Sequence, residues 1–89
     1  MLIHPEAYVS PSATIGEGTV IFPKAVVHTG ATIGKECILS IGSLIDYDCV
    51  LEDGVHLDCG AIIKGSRIPE GERIPCGMVI EKQKEMRKR

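Results

Sequence analysis

Large aliphatic side chains recur at every sixth residue along this chain: Ile3, Val9, Ile15, Ile21, Val27, Ile33, Leu39, Ile45, Leu51, Leu57 and Ile63. A helix places apolar residues three and four apart, and a half-buried strand places them every second residue. A strict period of six therefore marks a repeated structural unit. Four residues after each of these, up to Leu57, comes a small or modest side chain: Ala7, Ala13, Thr19, Ala25, Ala31, Cys37, Ser43, Cys49, Val55 and Ala61. Glycine recurs three residues after the aliphatic, at Gly18, Gly30, Gly42, Gly54 and Gly60, where a turn with positive φ would want it. The pattern predicts short strands joined by tight turns.

This pattern resembles the hexapeptide repeat of left-handed parallel β-helix proteins over nearly the whole chain. The resemblance implies an all-β fold in which three six-residue strands make one triangular coil, so that residues eighteen apart stack. The aliphatic fills the prism interior, and the small residue sits where a narrow prism has no room for more. The left-handed winding comes from the resemblance, because parallel crossovers are otherwise right-handed. After Ile63 the phase slips by one residue to Ile68, Ile74 and Ile80, with the turn signals Ile68-Pro69-Glu70-Gly71 and Ile74-Pro75-Cys76-Gly77. One five-residue repeat followed by a resumed register gives a little over four coils across residues 1–80. Residues 81–89, with Lys82, Lys84, Arg87, Lys88 and Arg89, read as a basic C-terminal helix or tail. That segment is either a solvated cap on the open sheet end or a contact for an anionic partner.

Composition agrees with this outline. Val and Ile number 19 of 89 residues, Gly numbers 10, Trp is absent, and only Phe22, Tyr8 and Tyr47 are aromatic, which suits many short strands. The net charge of −2 argues against a general nucleic-acid binder, although residues 46–80 carry −4 and residues 81–89 carry +3. No apolar run is long enough for a membrane span or a secretory leader, so a soluble, cytoplasmic protein is expected. Four cysteines without CxxC pairs suggest free thiols. Once the slip is allowed for, Cys59 and Cys76 stack one coil apart, at about 4.8 Å, inside the range a disulfide spans. Cys37 and Cys49 fall at small inward positions and read as packing residues.

A finer resemblance runs through His4-Pro5-Glu6-Ala7-Tyr8-Val9-Ser10-Pro11-Ser12-Ala13-Thr14-Ile15-Gly16, Ile45-Asp46-Tyr47-Asp48-Cys49-Val50 and Val55-His56-Leu57. These runs are similar to the bacterial sugar O-acyltransferase family, which includes sialic acid O-acetyltransferases and N-acetyltransferases of nucleotide-linked amino sugars. Family members carry an N-terminal sugar-nucleotide domain before the β-helix, and this chain looks like the β-helix half. The resemblance implies acetyl-CoA as the acyl donor, a sugar or amino-sugar acceptor and no metal. It places the catalytic acid-His-acid tripeptide at Asp46, Tyr47 and Asp48. The central His acts there as general base, which an imidazole does well near neutrality. This chain has Tyr47 instead, and a phenol with a pKa of about 10 is a poor base. His56 matches a second family His near the acyl group, and Gly65 matches a glycine whose N–H polarises the thioester carbonyl.

The residues leave two candidates for the missing base. His28, Asp46 and Lys64 lie eighteen apart and predict one exposed column, read either as an oriented His beside the cofactor contact Lys64 or as an ordinary charge ladder. His56 shares a phase with Val20, Ile38 and Ile74, which equally suits a half-buried His at a subunit contact. Asp46, Asp48, Glu52, Asp53 and Asp58 surround these positions, as an electrostatic setting for an imidazole or as a solvated acidic edge. His4, His28 and His56 lack the close ligand pair of a γ-class carbonic anhydrase zinc site. A thin prism has little core per residue, and proteins of this fold associate as trimers, so a homotrimer is expected. Two functions follow: an acetyl-CoA-dependent acyltransferase, or a non-catalytic trimeric module that scaffolds a partner such as a separate sugar-nucleotide domain.

Overall fold

A computed structural model describes residues 1–81, so the helix or tail expected over the basic C-terminal segment lies outside the described residues apart from Glu81. The chain winds as a parallel β-solenoid of about four turns, with extents of 36 × 21 × 20 Å. Fourteen two-residue strands stack into three faces. The first face holds β1 (Leu2–Ile3), β4 (Val20–Ile21), β7 (Ile38–Leu39), β10 (His56–Leu57) and β13 (Arg73–Ile74). The second holds β2 (Tyr8–Val9), β5 (Val26–Val27), β8 (Leu44–Ile45), β11 (Ile62–Ile63) and β14 (Val79–Ile80). The third holds β3 (Thr14–Ile15), β6 (Thr32–Ile33), β9 (Val50–Leu51) and β12 (Arg67–Ile68). The described residues contain no helix.

The period of six becomes geometry through side-chain alternation. In each strand the second residue points inward, and these are the periodic aliphatics, fully buried from Ile21 to Ile68. From Thr19 to Ser66 the residue just before each strand is buried too, where two faces converge and little space remains. Ala25, Ala31, Cys37, Cys49, Val55 and Ala61 fill those places. Thr19 fits because its hydroxyl donates to Gly34 O at 2.8 Å and accepts the Cys37 N–H at 3.1 Å, so no polar atom is stranded. Burial of each large aliphatic contributes about 1.5–3 kcal/mol, and the stack of them is the main stabilising term. Burial weakens toward the N-terminal coil, where Ile3 is 39% exposed.

The corners follow one rule. From Ile15 to Leu57, and again after Ile68 and Ile74, the third residue after the inward aliphatic takes positive φ, usually as glycine but also at Lys24 (67°), Glu36 (56°) and Asp48 (59°); after Ile63 it is the second, Gly65. The slip appears where the phase places it. Val27 pairs with Ile45 and Ile45 with Ile63 at an offset of eighteen, whereas Leu51 pairs with Ile68, Leu57 with Ile74 and Ile63 with Ile80 at an offset of seventeen. One expectation needs correcting in consequence. His56 pairs with Arg73 and not with Ile74, because the shorter offset moves the whole last coil by one position.

Candidate functional site

The short repeat opens a cleft of about 630 Å³ at the corner between the second and third faces. Asp46, Tyr47, Asp48 and Val50 line it from one coil, and Lys64, Gly65, Ser66, Arg67 and Glu81 from the next. The structure therefore brings together five of the residues singled out in the sequence: Asp46, Tyr47, Asp48, Lys64 and Gly65. Asp46 follows β8 directly, and its Oδ1 accepts the Tyr47 N–H at 2.8 Å, which fixes the entry to the turn. Tyr47 sits at the turn apex and is 59% exposed. Asp48 holds the positive-φ position, and its N–H donates to Thr29 O at 2.9 Å. Its carboxylate lies over Gly30 so closely that a Cβ there would strike Asp48 Oδ1.

His28 stands one coil below, with its ring centroid 5.7 Å from that of Tyr47 in an edge-to-face arrangement at 61°. The expected column is real: the His28 N–H donates to Ile45 O, the Asp46 N–H to Ile63 O and the Lys64 N–H to Ile80 O, at 2.9, 2.8 and 2.7 Å. Glu81 extends it, with its Oε2 3.6 Å from Lys64 Nζ. The His28 ring is turned so that its Nδ1 accepts the Thr29 N–H at 2.7 Å.

Gly65 differs from most of the other positive-φ corners; Gly18 also has an unpartnered N–H among the described residues, but there Glu36 Cγ stands 3.0 Å from where a Cβ would be. At Lys24, Glu36, Gly42, Asp48, Gly54, Gly60, Gly71 and Gly77 the N–H donates to a carbonyl of the preceding coil, and at Gly30 it donates to Ser12 Oγ. The Gly65 N–H has no partner among the described residues. Its φ is +56°, and nothing lies within 4 Å of where a Cβ would stand. The turn is one residue short here, so Gly65 takes its positive φ two residues after Ile63 instead of three and lines the cleft.

His56 lies elsewhere. It belongs to β10 on the first face, half-buried, with Nε2 3.7 Å from Asp58 Oδ1, and the same carboxylate receives Arg73 at 3.2 Å. It does not line the cleft. Four lining residues were not anticipated: Val50, Ser66, Arg67 and Glu81. The signal for two of them was the slip itself, since an offset of seventeen puts Arg67 beside Val50 and Glu81 above Lys64. Arg67 Nε reaches Glu52 Oε2 at 2.7 Å, and Glu52 Oε1 also accepts the Glu70 N–H at 3.2 Å, so this cation is held at the cleft edge. Ser66 is buried and donates to Lys64 O at 2.9 Å. No cluster of three or more potential metal-ligating His, Cys, Asp or Glu side chains occurs among the described residues. No helix there is long and apolar enough to cross a membrane.

No protein-family model and no curated protein matches the chain. Solved structures do. The acetyltransferase domain of PglB from Neisseria gonorrhoeae superposes with a TM-score of 0.86 and 43% identity, over 88% of this chain and 38% of that one. The same domain in complex with acetyl coenzyme A gives 0.85 and 42%, over 86% and 38%. A mutant of perosamine N-acetyltransferase from Caulobacter crescentus, in complex with CoA and GDP-perosamine, gives 0.63 and 26%, over 91% and 48%. The chain spans less than half the length of each. Its β-solenoid is thus similar to that of hexapeptide-repeat acetyltransferases.

Proposed function

We propose that this chain is an acetyl-CoA-dependent acyltransferase module whose acceptor is a hydroxyl or amine of a sugar or amino sugar, working as a homotrimer. The observation that carries the reading is the 43% identity to an acetyltransferase domain whose fold also holds acetyl coenzyme A. Acetyl-CoA would supply the activated acyl group. On this chain, Gly65 is the residue that suits it best: it lines the cleft, its N–H has no partner among the described residues, and no atom crowds its Cβ position, so it can receive a thioester oxygen as negative charge develops there. Lys64 and Arg67 flank that amide with positive charge, each already oriented by a carboxylate.

The acceptor's proton needs a base, and the cleft offers a phenol at Tyr47 where an imidazole would serve better. His28 reaches the Tyr47 ring but must release the Thr29 N–H before Nδ1 can accept a proton. His56 faces away from the cleft in its own chain, so it can act only if a second copy lays its first face against the corner. That requirement is met by a trimer with its sites between subunits. A second reading rests on Tyr47 itself: without a base in the turn, the module would scaffold a partner such as a separate sugar-nucleotide domain and not catalyse.

Calorimetry with acetyl-CoA on the parent protein, together with thiol release by a Tyr47→His variant offered amino-sugar acceptors, separates the two. Binding by both proteins, with turnover at least about 100-fold higher in the variant, supports a groove that works once a base is supplied. No binding by either at millimolar acetyl-CoA overturns the enzyme reading.

A further inference from the structure

Two thiols lie outside the cleft and take no part in it. Cys59 and Cys76 occupy the same place in successive corners of the first-to-second face edge, and both are exposed and unpaired. Backbone bonds lock them side by side. The Asp58 N–H donates to Ile74 O at 2.9 Å and the Gly77 N–H to Cys59 O at 3.0 Å, so the Leu57 to Ile74 register continues into the corner. Parallel neighbours in register stand about 4.8 Å apart at Cα, within the separations a disulfide bridges, and Cβ closure of about 1 Å completes the approach.

The other two cysteines show what this pair is not. Cys37 and Cys49 are fully buried, and their thiols point at backbone carbonyls, Glu52 O at 3.2 Å and Ile63 O at 3.6 Å. Burial also raises the Cys37 pKa, which withholds the thiolate. Four thiols therefore divide into two packing residues and two that solvent reaches together.

We propose that Cys59 and Cys76 form a redox-modification site, a dithiol that a low-molecular-weight disulfide such as glutathione disulfide converts to an intrachain disulfide. One cysteine thiolate attacks the oxidant, which forms a mixed disulfide and releases one thiol. The second thiolate then attacks the protein-bound sulfur, closes the Cys59–Cys76 bond and releases the second thiol. Two electrons pass from the protein to the oxidant, and the two cysteine protons leave on the released thiols. The covalent ring encloses Lys64, Gly65, Ser66 and Arg67, so oxidation staples the two coils across the short repeat that forms one wall of the cleft. This inference is independent of the acyltransferase reading.

The test exposes the folded protein to glutathione disulfide and follows rapidly reactive thiols, intact mass, peptide linkage and Tm. The expected result is loss of both rapidly reactive thiols, a mass lower by two hydrogens with no glutathione retained, a Cys59–Cys76 linked peptide and a Tm higher by roughly 5 °C or more. Dithiothreitol should reverse all four. A Cys59→Ser variant should keep glutathione on Cys76 and show no rise in Tm. Retained glutathione on the parent, crosslinks between chains, unchanged thiols, or a Tm rise that persists in Cys59→Ser would each overturn the proposal.

Discussion

The corners at Gly60 and Gly65 are five residues apart and do opposite things. Gly60 takes positive φ, gives its N–H to Ile41 O at 3.0 Å and stacks beneath Gly77, so its amide is spent on holding one coil to the one before it. Gly65 takes positive φ as well, yet its amide has no partner among the described residues and no atom overhangs it. One residue fewer in the turn accounts for the difference. A repeat protein gains stability from each corner that matches its neighbours, and here a corner that fails to match supplies a directed, unclaimed hydrogen-bond donor. Structure and chemistry thus divide along the solenoid by register and not by composition.

The comparison can be broken from beneath by emptying the core that both corners rest on. Leu51→Ala removes a fully buried side chain one coil below Ile68 and should cost about 2–5 kcal/mol in urea unfolding, whereas Ile3→Ala, at the partly open first coil, should cost under about 1 kcal/mol. Equal costs would mean that the first coil is covered in solution. Restoring the sixth residue goes to the contrast itself. A glycine inserted between Gly65 and Ser66 lets the last coil stack at eighteen, so circular dichroism should be unchanged while thiol release in the Tyr47→His background falls about 100-fold, as for a lost oxyanion donor.

Two glycines sharpen the comparison without moving the register. Gly16→Ala would press its Cβ to 2.6 Å from the Gly34 backbone and should cost about 1–3 kcal/mol, whereas Gly65→Ala meets nothing and should cost about 1 kcal/mol through its φ alone. Thermal melts of the pair would show whether the open space at Gly65 persists in solution. Replacing a non-glycine corner should act in the other direction: Glu36→Gly relieves positive φ and should raise stability by about 0.5 kcal/mol. The smallest effect is with pH. Burial raises the Cys37 pKa in the folded state, so the folded protein holds that proton longer than the unfolded chain does. The stability this confers is complete below the unfolded thiol value of about 8.5 and is lost as pH rises past it toward the folded value. Cys37→Ala should flatten that alkaline decline in unfolding titrations.

Much of this was legible beforehand. The period of six named the inward positions one by one, and the phase change after Ile63 named the seventeen-residue offset that the pairings of Leu51, Leu57 and Ile63 display. Stacking arithmetic also gave the column of His28, Asp46 and Lys64. The site was only half legible. Arg67 and Glu81 were ordinary charges until the offset carried them to the cleft edge, and His56 was expected beside Ile74 until the same offset set it against Arg73 of the same strand. The orientation of the His28 ring depends on a single contact from the Thr29 N–H, which no spacing rule contains.

What the amino-acid sequence determined by itself is the solenoid: its repeat length, its buried rows, its glycine corners and the place where one residue is missing. These follow because a hydrophobic period acts locally, through which side chain each short strand turns inward. Only the tertiary structure decided which groups the missing residue set free and which it brought together. The Gly65 amide and the Lys64 and Arg67 ion pairs depend on how one coil lands on the next, and in the last coil that landing pairs strands seventeen residues apart in the chain.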